Sequence, residues 1–178
     1  MQDIMFYDDV LKEQFAKHLL RDSMDNLSSG RGFTHSNFHW SPGIVKASQV
    51  VLVRDYEQEM AALILSQLQD RGILDDEEYH VNDYHVMNYA WTKLSYIPWH
   101  NDPDYKNAIT VYLNEHWDRD WGGIYLYVDR ETKGIKGYVP QFNSGLKNNS
   151  KLDHSTTLIS VDAEYPRLTI QVFPKTQS

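Results

Sequence analysis

Hydrophobic positions change their period once along the chain. Up to residue 72 they recur every three or four residues. Val10, Leu11, Phe15 and Leu19 follow Asp8-Asp9, either of which can cap a helix, and Met60, Ile64 and Leu68, with Leu63 beside them, mark one face of a second helix. Asp55-x-x-Gln58 has the capping-box form ahead of that second helix, and Gly72 after Arg71 is its stop signal. Between the two lies Asp22–Gln49, rich in Ser, Gly, Asn and His. It reads as a long loop or short edge strands leading into a strand at Val50-Val51-Leu52-Val53.

From about Asp83 the period is two. Tyr84–Tyr89, Ala108–Leu113, Ile124–Val128, Thr157–Val161 and Arg167–Phe173 predict strands separated by turn-rich connections. The polar stretch Asp129–Asp153, with Gly134, Gly137, Gly145 and Asn148-Asn149, predicts a functional loop or a short strand around Ile135–Val139. Helices followed by strands predict an α+β domain with a mainly β core, an antiparallel sandwich or barrel carrying its helices on one side. In the last strand Leu168, Ile170 and Val172 alternate with Arg167, Thr169 and Gln171. Periodicity alone leaves open whether that polar face meets water or the inside of a barrel.

Composition narrows the function. At 178 residues the chain is long enough for one domain with a real core. Seventeen Lys and Arg against 25 Asp and Glu leave a net charge of −8, which argues against sequence-independent nucleic-acid binding and against an anionic membrane partner. The same charge favours a positively charged substrate over an acidic one. There is no cysteine, so a disulfide framework, a cysteine zinc site and a thiol nucleophile are excluded. Apolar runs fall far short of a bilayer span and the first residues lack a secretory pattern, so a cytoplasmic location is expected.

With 8 His in the chain and 17 Asp among its acidic residues, about one His-x-Asp pair is expected by chance, and two occur. His116-Trp117-Asp118 reads as a surface turn. His100-Asn101-Asp102 sits beside Pro103, just before a predicted strand, where residues i and i+2 of an extended backbone point to one side. It supplies two corners of a 2-His-1-carboxylate triad, the geometry that leaves open positions on non-heme Fe(II). His116 and His154 are the histidines farther along, and His154, at the head of the Thr157–Val161 strand, is the better third ligand.

In this frame the segment Asp83–Lys175 resembles the Fe(II)/2-oxoglutarate-dependent oxygenases, in particular their prolyl-4-hydroxylase-like branch. The resemblance is carried by Val86-Met87-Asn88-Tyr89, His100-Asn101-Asp102, Ile109-Thr110-Val111-Tyr112-Leu113-Asn114 and Trp121-Gly122-Gly123-Ile124-Tyr125-Leu126. It continues through Val139-Pro140-Gln141-Phe142-Asn143, then His154, then Arg167-Leu168-Thr169-Ile170. It implies a double-stranded β-helix, the jelly-roll or cupin-like barrel, with residues 1–82 as helical support and lid and 83–175 as the catalytic core of a single domain. It further implies His100, Asp102 and His154 as iron ligands and Arg167 as partner of the distal carboxylate of 2-oxoglutarate. Tyr112 would be a second donor, Tyr89 a contact nearer the metal, and Thr169 an assistant on the Arg167 face, which would then point inward. The implied reaction is hydroxylation of an unactivated C–H, with O2 as oxidant, succinate and CO2 as coproducts and ascorbate as reductant. Asp102 favours hydroxylation, because related halogenases have Gly or Ala there. The interval from His154 to Arg167 is a few residues longer than the family usually shows. Either a loop around Asp162-Ala163-Glu164 absorbs the excess or one of the two assignments is displaced.

The implied substrate is a prolyl residue of a peptide or protein, or a small amino-acid-like molecule. Trp91, Tyr96, Trp99, Tyr105 and the segment Phe33–Trp40 are the candidates for cleft walls or a lid. Two other classes compete: a cupin-like Zn(II) metallohydrolase on the same triad, and a non-catalytic binding module on the same scaffold. Oligomeric state is left open.

Overall fold

The computed structural model describes residues 3–38, 40–47, 51–74, 79–103, 105–149 and 151–175. Two antiparallel sheets face each other. The strands are β1 (Ile4–Tyr7), β2 (Thr34–His35), β3 (Val51–Asp55), β4 (Tyr84–Trp91), β5 (Ile97–His100), β6 (Asn107–Tyr112), β7 (Tyr125–Val128), β8 (Ile135–Tyr138), β9 (Gly145–Asn149), β10 (His154–Thr156) and β11 (Arg167–Pro174). The larger sheet runs β1-β9-β6-β11-β4-β3-β2 and the smaller β5-β10-β7-β8. The described residues also include three α-helices: α1 (Glu13–Ser28), α2 (Pro42–Ala47) and α3 (Gln58–Asp70).

The pleat of the larger sheet separates two interiors. Leu168, Ile170 and Val172 of β11, Ile109 and Val111 of β6, and Val86 and Ala90 of β4 pack with Ala16 and Leu19 of α1 and with Ile64, Leu65 and Leu68 of α3 in one apolar core. Each fully buried side chain of this size is worth roughly 1.5–3 kcal/mol. On the opposite face, register pairs Arg167 with Trp91, Thr169 with Tyr89 and Tyr112, and Gln171 with Met87 and Thr110. The polar alternation of the last strand therefore points between the sheets.

The predicted stop at Gly72 is present, whereas the predicted N-terminal caps are not. α3 stops in a Schellman turn, in which Ile73 N–H donates to Leu68 O (2.9 Å) and Gly72 N–H to Gln69 O (2.8 Å), with Gly72 at φ 65°. The Asp55-x-x-Gln58 capping box does not form. Asp55 is paired with Met87 in β3 and Tyr56 N–H still donates to Val86 O (3.0 Å), so the backbone remains extended up to the Glu57 N-cap. Val10 and Leu11 are likewise buried ahead of α1 rather than within it, and neither Asp8 nor Asp9 caps it, since Lys12 is the N-cap.

Other departures arise from short or weakly patterned segments. The region before residue 82 is more than helical support, because β1, β2 and β3 extend both edges of the larger sheet. α1 runs on to Ser28 and α2 occupies part of the expected 22–49 loop; Val50 lies outside the described residues. Within Asp129–Asp153 the short strand near Ile135 is present as β8, but β9 is a second one, in a Gly-Leu-Lys-Asn-Asn sequence with little β propensity. Tertiary pairing with β1 and β6 holds it there. Residues 157–161 are not a strand. The strand is His154–Thr156, after which Ile159 makes one isolated bridge to Gly122 and donates its N–H to Ser95 O (2.9 Å). No helix among the described residues is long and apolar enough to cross a membrane.

Asn143 ties the N-terminal segment to the sheet. Its side chain accepts from Leu11 N–H (3.0 Å) and donates to Leu11 O (2.7 Å), while its own N–H donates to Tyr112 O (2.9 Å). Asn143→Ala strands both buried backbone groups of Leu11 and places alanine at φ 55°. It is expected to lower stability by about 2–4 kcal/mol in urea titrations.

Candidate active site

The antiparallel register of β10 on β5 sets His154 directly opposite His100, and their ring centroids are 4.2 Å apart. Asp102 follows two residues beyond His100, past the end of β5, and its carboxylate turns back toward both rings. Oδ1 is 3.8 Å from His100 Nε2 and Oδ2 is 3.5 Å from His154 Nε2. One ligand atom from each of the three lies within 4.8 Å of the others, and this is the only such group of three His, Asp or Glu among the described residues.

Both imidazoles are oriented the same way. His100 Nδ1 donates to Pro98 O (2.8 Å) and His154 Nδ1 to Leu152 O (2.9 Å), each to the carbonyl two residues earlier. Those bonds place the proton on Nδ1 and leave the Nε2 lone pair facing Asp102, as a metal ligand requires. Burial, and then the neighbouring His100, lower the pKa of His154 against the opposing pull of Asp102, favouring the neutral ligand form.

The triad borders a cavity of about 1070 Å³ between the sheets. At its other end stands Arg167, 2 % exposed, at the head of β11. Its guanidinium lies 4.5 Å from the Trp91 ring centroid and 5.6 Å from that of Tyr112, and Nη1 donates to Gly123 O (2.5 Å). Gly123, at φ 64°, permits this approach, since a Cβ there would stand 2.6 Å from Ile159 Cδ1 and 3.1 Å from Arg167 Cδ. Arg167 Nε and the Tyr112 hydroxyl are buried without hydrogen-bond partners. Burial brings the Arg167 pKa down to about 10, so the group is still a cation at neutral pH. A buried cation with an unpaired Nε and no carboxylate beside it among the described residues can receive an anion.

The remaining predicted residues divide. Tyr89 lines the cavity, and its hydroxyl accepts from Trp40 Nε1 (3.2 Å). Thr169 lies behind the cavity surface: it is fully buried, and its hydroxyl accepts from Trp91 Nε1 (3.2 Å) and Gln171 Nε2 (3.4 Å). It holds the indole on which the guanidinium rests. Of the proposed walls, Trp40, Trp91, Trp99 and Tyr105 line the cavity, whereas Tyr96 lines a shallow groove beside it. Phe33 packs against Arg54 on the helix side, and His39 lies outside the described residues. His116 is exposed and Asp118 caps a 3-10 turn through the Asp120 N–H (2.8 Å), so that pair takes no part. The long interval between His154 and Arg167 is a loop that includes Asp162-Ala163-Glu164 and leaves both ends at the cavity.

Among the cavity residues to which the sequence assigned no role, Tyr125 stands out. Tyr125 of β7 stacks on His154 (5.3 Å, 21°), and its buried hydroxyl has no partner. Burial first, then Tyr112, raises its pKa, so it is a neutral donor. Its only sequence signal was its place directly after Gly122-Gly123-Ile124 on a strand that alternates Tyr125 and Tyr127.

No protein-family model matches the sequence, and no curated protein matches it. Solved structures do. A prolyl-4-hydroxylase from Pseudomonas putida superposes with a TM-score of 0.73 at 10% identity, over 100% of this chain and 95% of that one. The fold is a double-stranded β-helix. A prolyl hydroxylase from Trichoplax adhaerens, solved with a hypoxia inducible factor oxygen degradation domain peptide fragment, gives 0.76 at 14% identity, over 97% of this chain and 83% of that one. A 2OG-Fe(II) oxygenase family oxidoreductase from Burkholderia pseudomallei gives 0.67 at 12%, over 98% and 86%. In this double-stranded β-helix the triad belongs to the smaller sheet and its mouth, and Arg167 to the larger.

Replacing Asp102 by Ala removes the carboxylate corner without touching the core. Co(II) affinity measured by calorimetry is expected to fall on the order of 100-fold, with the thermal midpoint of the metal-free protein within about 2 °C of wild type.

Proposed function

We propose that the protein is a non-heme Fe(II)- and 2-oxoglutarate-dependent dioxygenase of the prolyl-4-hydroxylase-like branch, hydroxylating an unactivated C–H. The observation that carries this reading is one cavity with a 2-His-1-carboxylate group at one end and a buried, anion-seeking Arg167 at the other. The donor set fits the cofactors. Two neutral imidazoles and a carboxylate suit Fe(II) and leave positions for a chelating 2-oxo acid. The unused donors of Arg167 and Tyr112 suit that acid's distal carboxylate.

When bound, the metal and the 2-oxo acid supply the oxidising chemistry, coupling O2-dependent decarboxylation to succinate and CO2 with hydroxylation of the substrate. The chain supplies position and environment. His100, Asp102 and His154 hold the ion through Nε2, carboxylate and Nε2. Arg167 and Tyr112 fix the far end of the keto acid. Trp91, packed beneath the guanidinium and itself held by Thr169, keeps water from that charge.

For the substrate we infer a prolyl residue of a peptide or protein, with a small amino-acid-like molecule as the alternative. The peptide seen with the Trichoplax enzyme supports the first. So does the lining of the cavity, where Trp40, Trp99, Tyr105 and Phe173 offer apolar walls and Asp55 and Asp153 add negative charge suited to a cationic segment. A Zn(II) hydrolase on the same triad gives no role to the donor that Arg167 leaves unpaired, and a non-catalytic binding module would tolerate loss of a triad member, whereas all three are in place.

Anaerobic addition of Fe(II) and then 2-oxoglutarate separates these readings. A weak visible charge-transfer band signals bidentate chelation, and its absence with both components present would reject the oxygenase. Arg167→Ala is expected to raise the Kd for 2-oxoglutarate about 100-fold while iron affinity changes less than about threefold. Loss of iron binding instead would remove Arg167 from the role given to it.

A further inference from the structure

The proposed keto-acid site contains one more donor than its two anchors account for. Tyr125 is 5 % exposed and lines the same cavity as Arg167, Tyr112 and the triad. It enters from the smaller sheet, through β7, whereas Arg167 and Tyr112 enter from the larger. Its backbone pairs with Thr156 on one side and Tyr138 on the other. Tyr138 in turn stacks on Tyr112 (5.9 Å, 29°), and Tyr112, Tyr125 and Tyr127 share one buried cluster. The Tyr125 ring is thus clamped between strand neighbours and the His154 imidazole, yet its hydroxyl, like that of Tyr112, is buried and bonded to nothing.

Leaving a buried hydroxyl unmatched has a cost that a phenylalanine at the same position would not incur, and packing alone does not call for the oxygen. Two buried phenols and a guanidinium line this one cavity from both sheets, each with a polar atom left unpaired, and a carboxylate, with about four acceptor positions, has room for all three donors.

We propose that Tyr125 is a third donor to the distal carboxylate of the 2-oxo acid, closing that end of the pocket from the smaller sheet. The inference rests on the oxygenase reading. Because Tyr125 also touches a metal ligand, its effect on the carboxylate has to be separated from an effect passed through His154.

Metal-loaded protein, with Co(II) as an O2-inert probe, is titrated calorimetrically with 2-oxoglutarate and with 2-oxopentanoate, which lacks the distal carboxylate. Tyr125→Phe is expected to weaken 2-oxoglutarate about tenfold or more. It should leave the affinities for 2-oxopentanoate and for Co(II) within about twofold of wild type. Tyr127→Phe, in the same cluster, is the matched control and should leave all three unchanged. Equal weakening of both keto acids, or loss of Co(II) affinity, would show that Tyr125 acts through His154 and would overturn the proposal. Unaltered 2-oxoglutarate binding in Tyr125→Phe would overturn it as well. If wild-type protein binds Co(II) but neither keto acid, the oxygenase reading itself falls, and this inference with it.

Discussion

The alternation of side chains along β11 is the constraint from which the rest of the architecture follows. The strand lies inside the larger sheet, paired along its length with β4 and over four residues with β6, so its register cannot slip by one residue without exchanging its faces. On one face Leu168, Ile170 and Val172 complete the apolar core under α1 and α3. On the other, Arg167, Thr169 and Gln171 are carried between the sheets, where Arg167 becomes a buried cation. The same hydrophobic force that seats the helices therefore holds a guanidinium where water would otherwise neutralise its interest in an anion.

The smaller sheet performs a different task with less material. Its strands have three or four residues each, and its contribution is registry. Pairing of β10 with β5 places two imidazoles face to face, and the carbonyls of Pro98 and Leu152 turn their Nε2 atoms inward. These contacts are local to each strand, so the triad is oriented without a large core beneath it. The two ends of the cavity thus derive from two sheets, and the distance between the triad and Arg167 is set by how the sheets pack.

Polar groups in the cavity wall are arranged by division of labour. Thr169 holds Trp91, Trp91 supports Arg167, Gly123 O takes one guanidinium N–H, and Thr110 holds Gln171 (2.9 Å). With those bonds made, the donors left over are Arg167 Nε and the hydroxyls of Tyr112 and Tyr125. These three lie in one cavity, whereas the other partnerless buried donors among the described residues, Ser36 Oγ, Arg54 Nε and Tyr56 Oη, lie outside it.

Much of this was legible in the residues. The change of period at about residue 83 marked where helices give way to strands, the alternation in Arg167–Phe173 separated the two faces of β11, and His100-x-Asp102 marked a candidate ligand pair, because all three depend on neighbours in sequence. What failed was equally physical. β9 has no propensity of its own and exists through pairing with β1 and β6, the Asp55 cap lost to a strand that was still hydrogen-bonded, and the strand bearing His154 is displaced to His154–Thr156. Which polar face was inner, which histidine met His100, and that Tyr125 shares a pocket with Arg167 were decided by the tertiary structure. Each is a contact between residues dozens of positions apart, and only the packing of one sheet on the other brings them together.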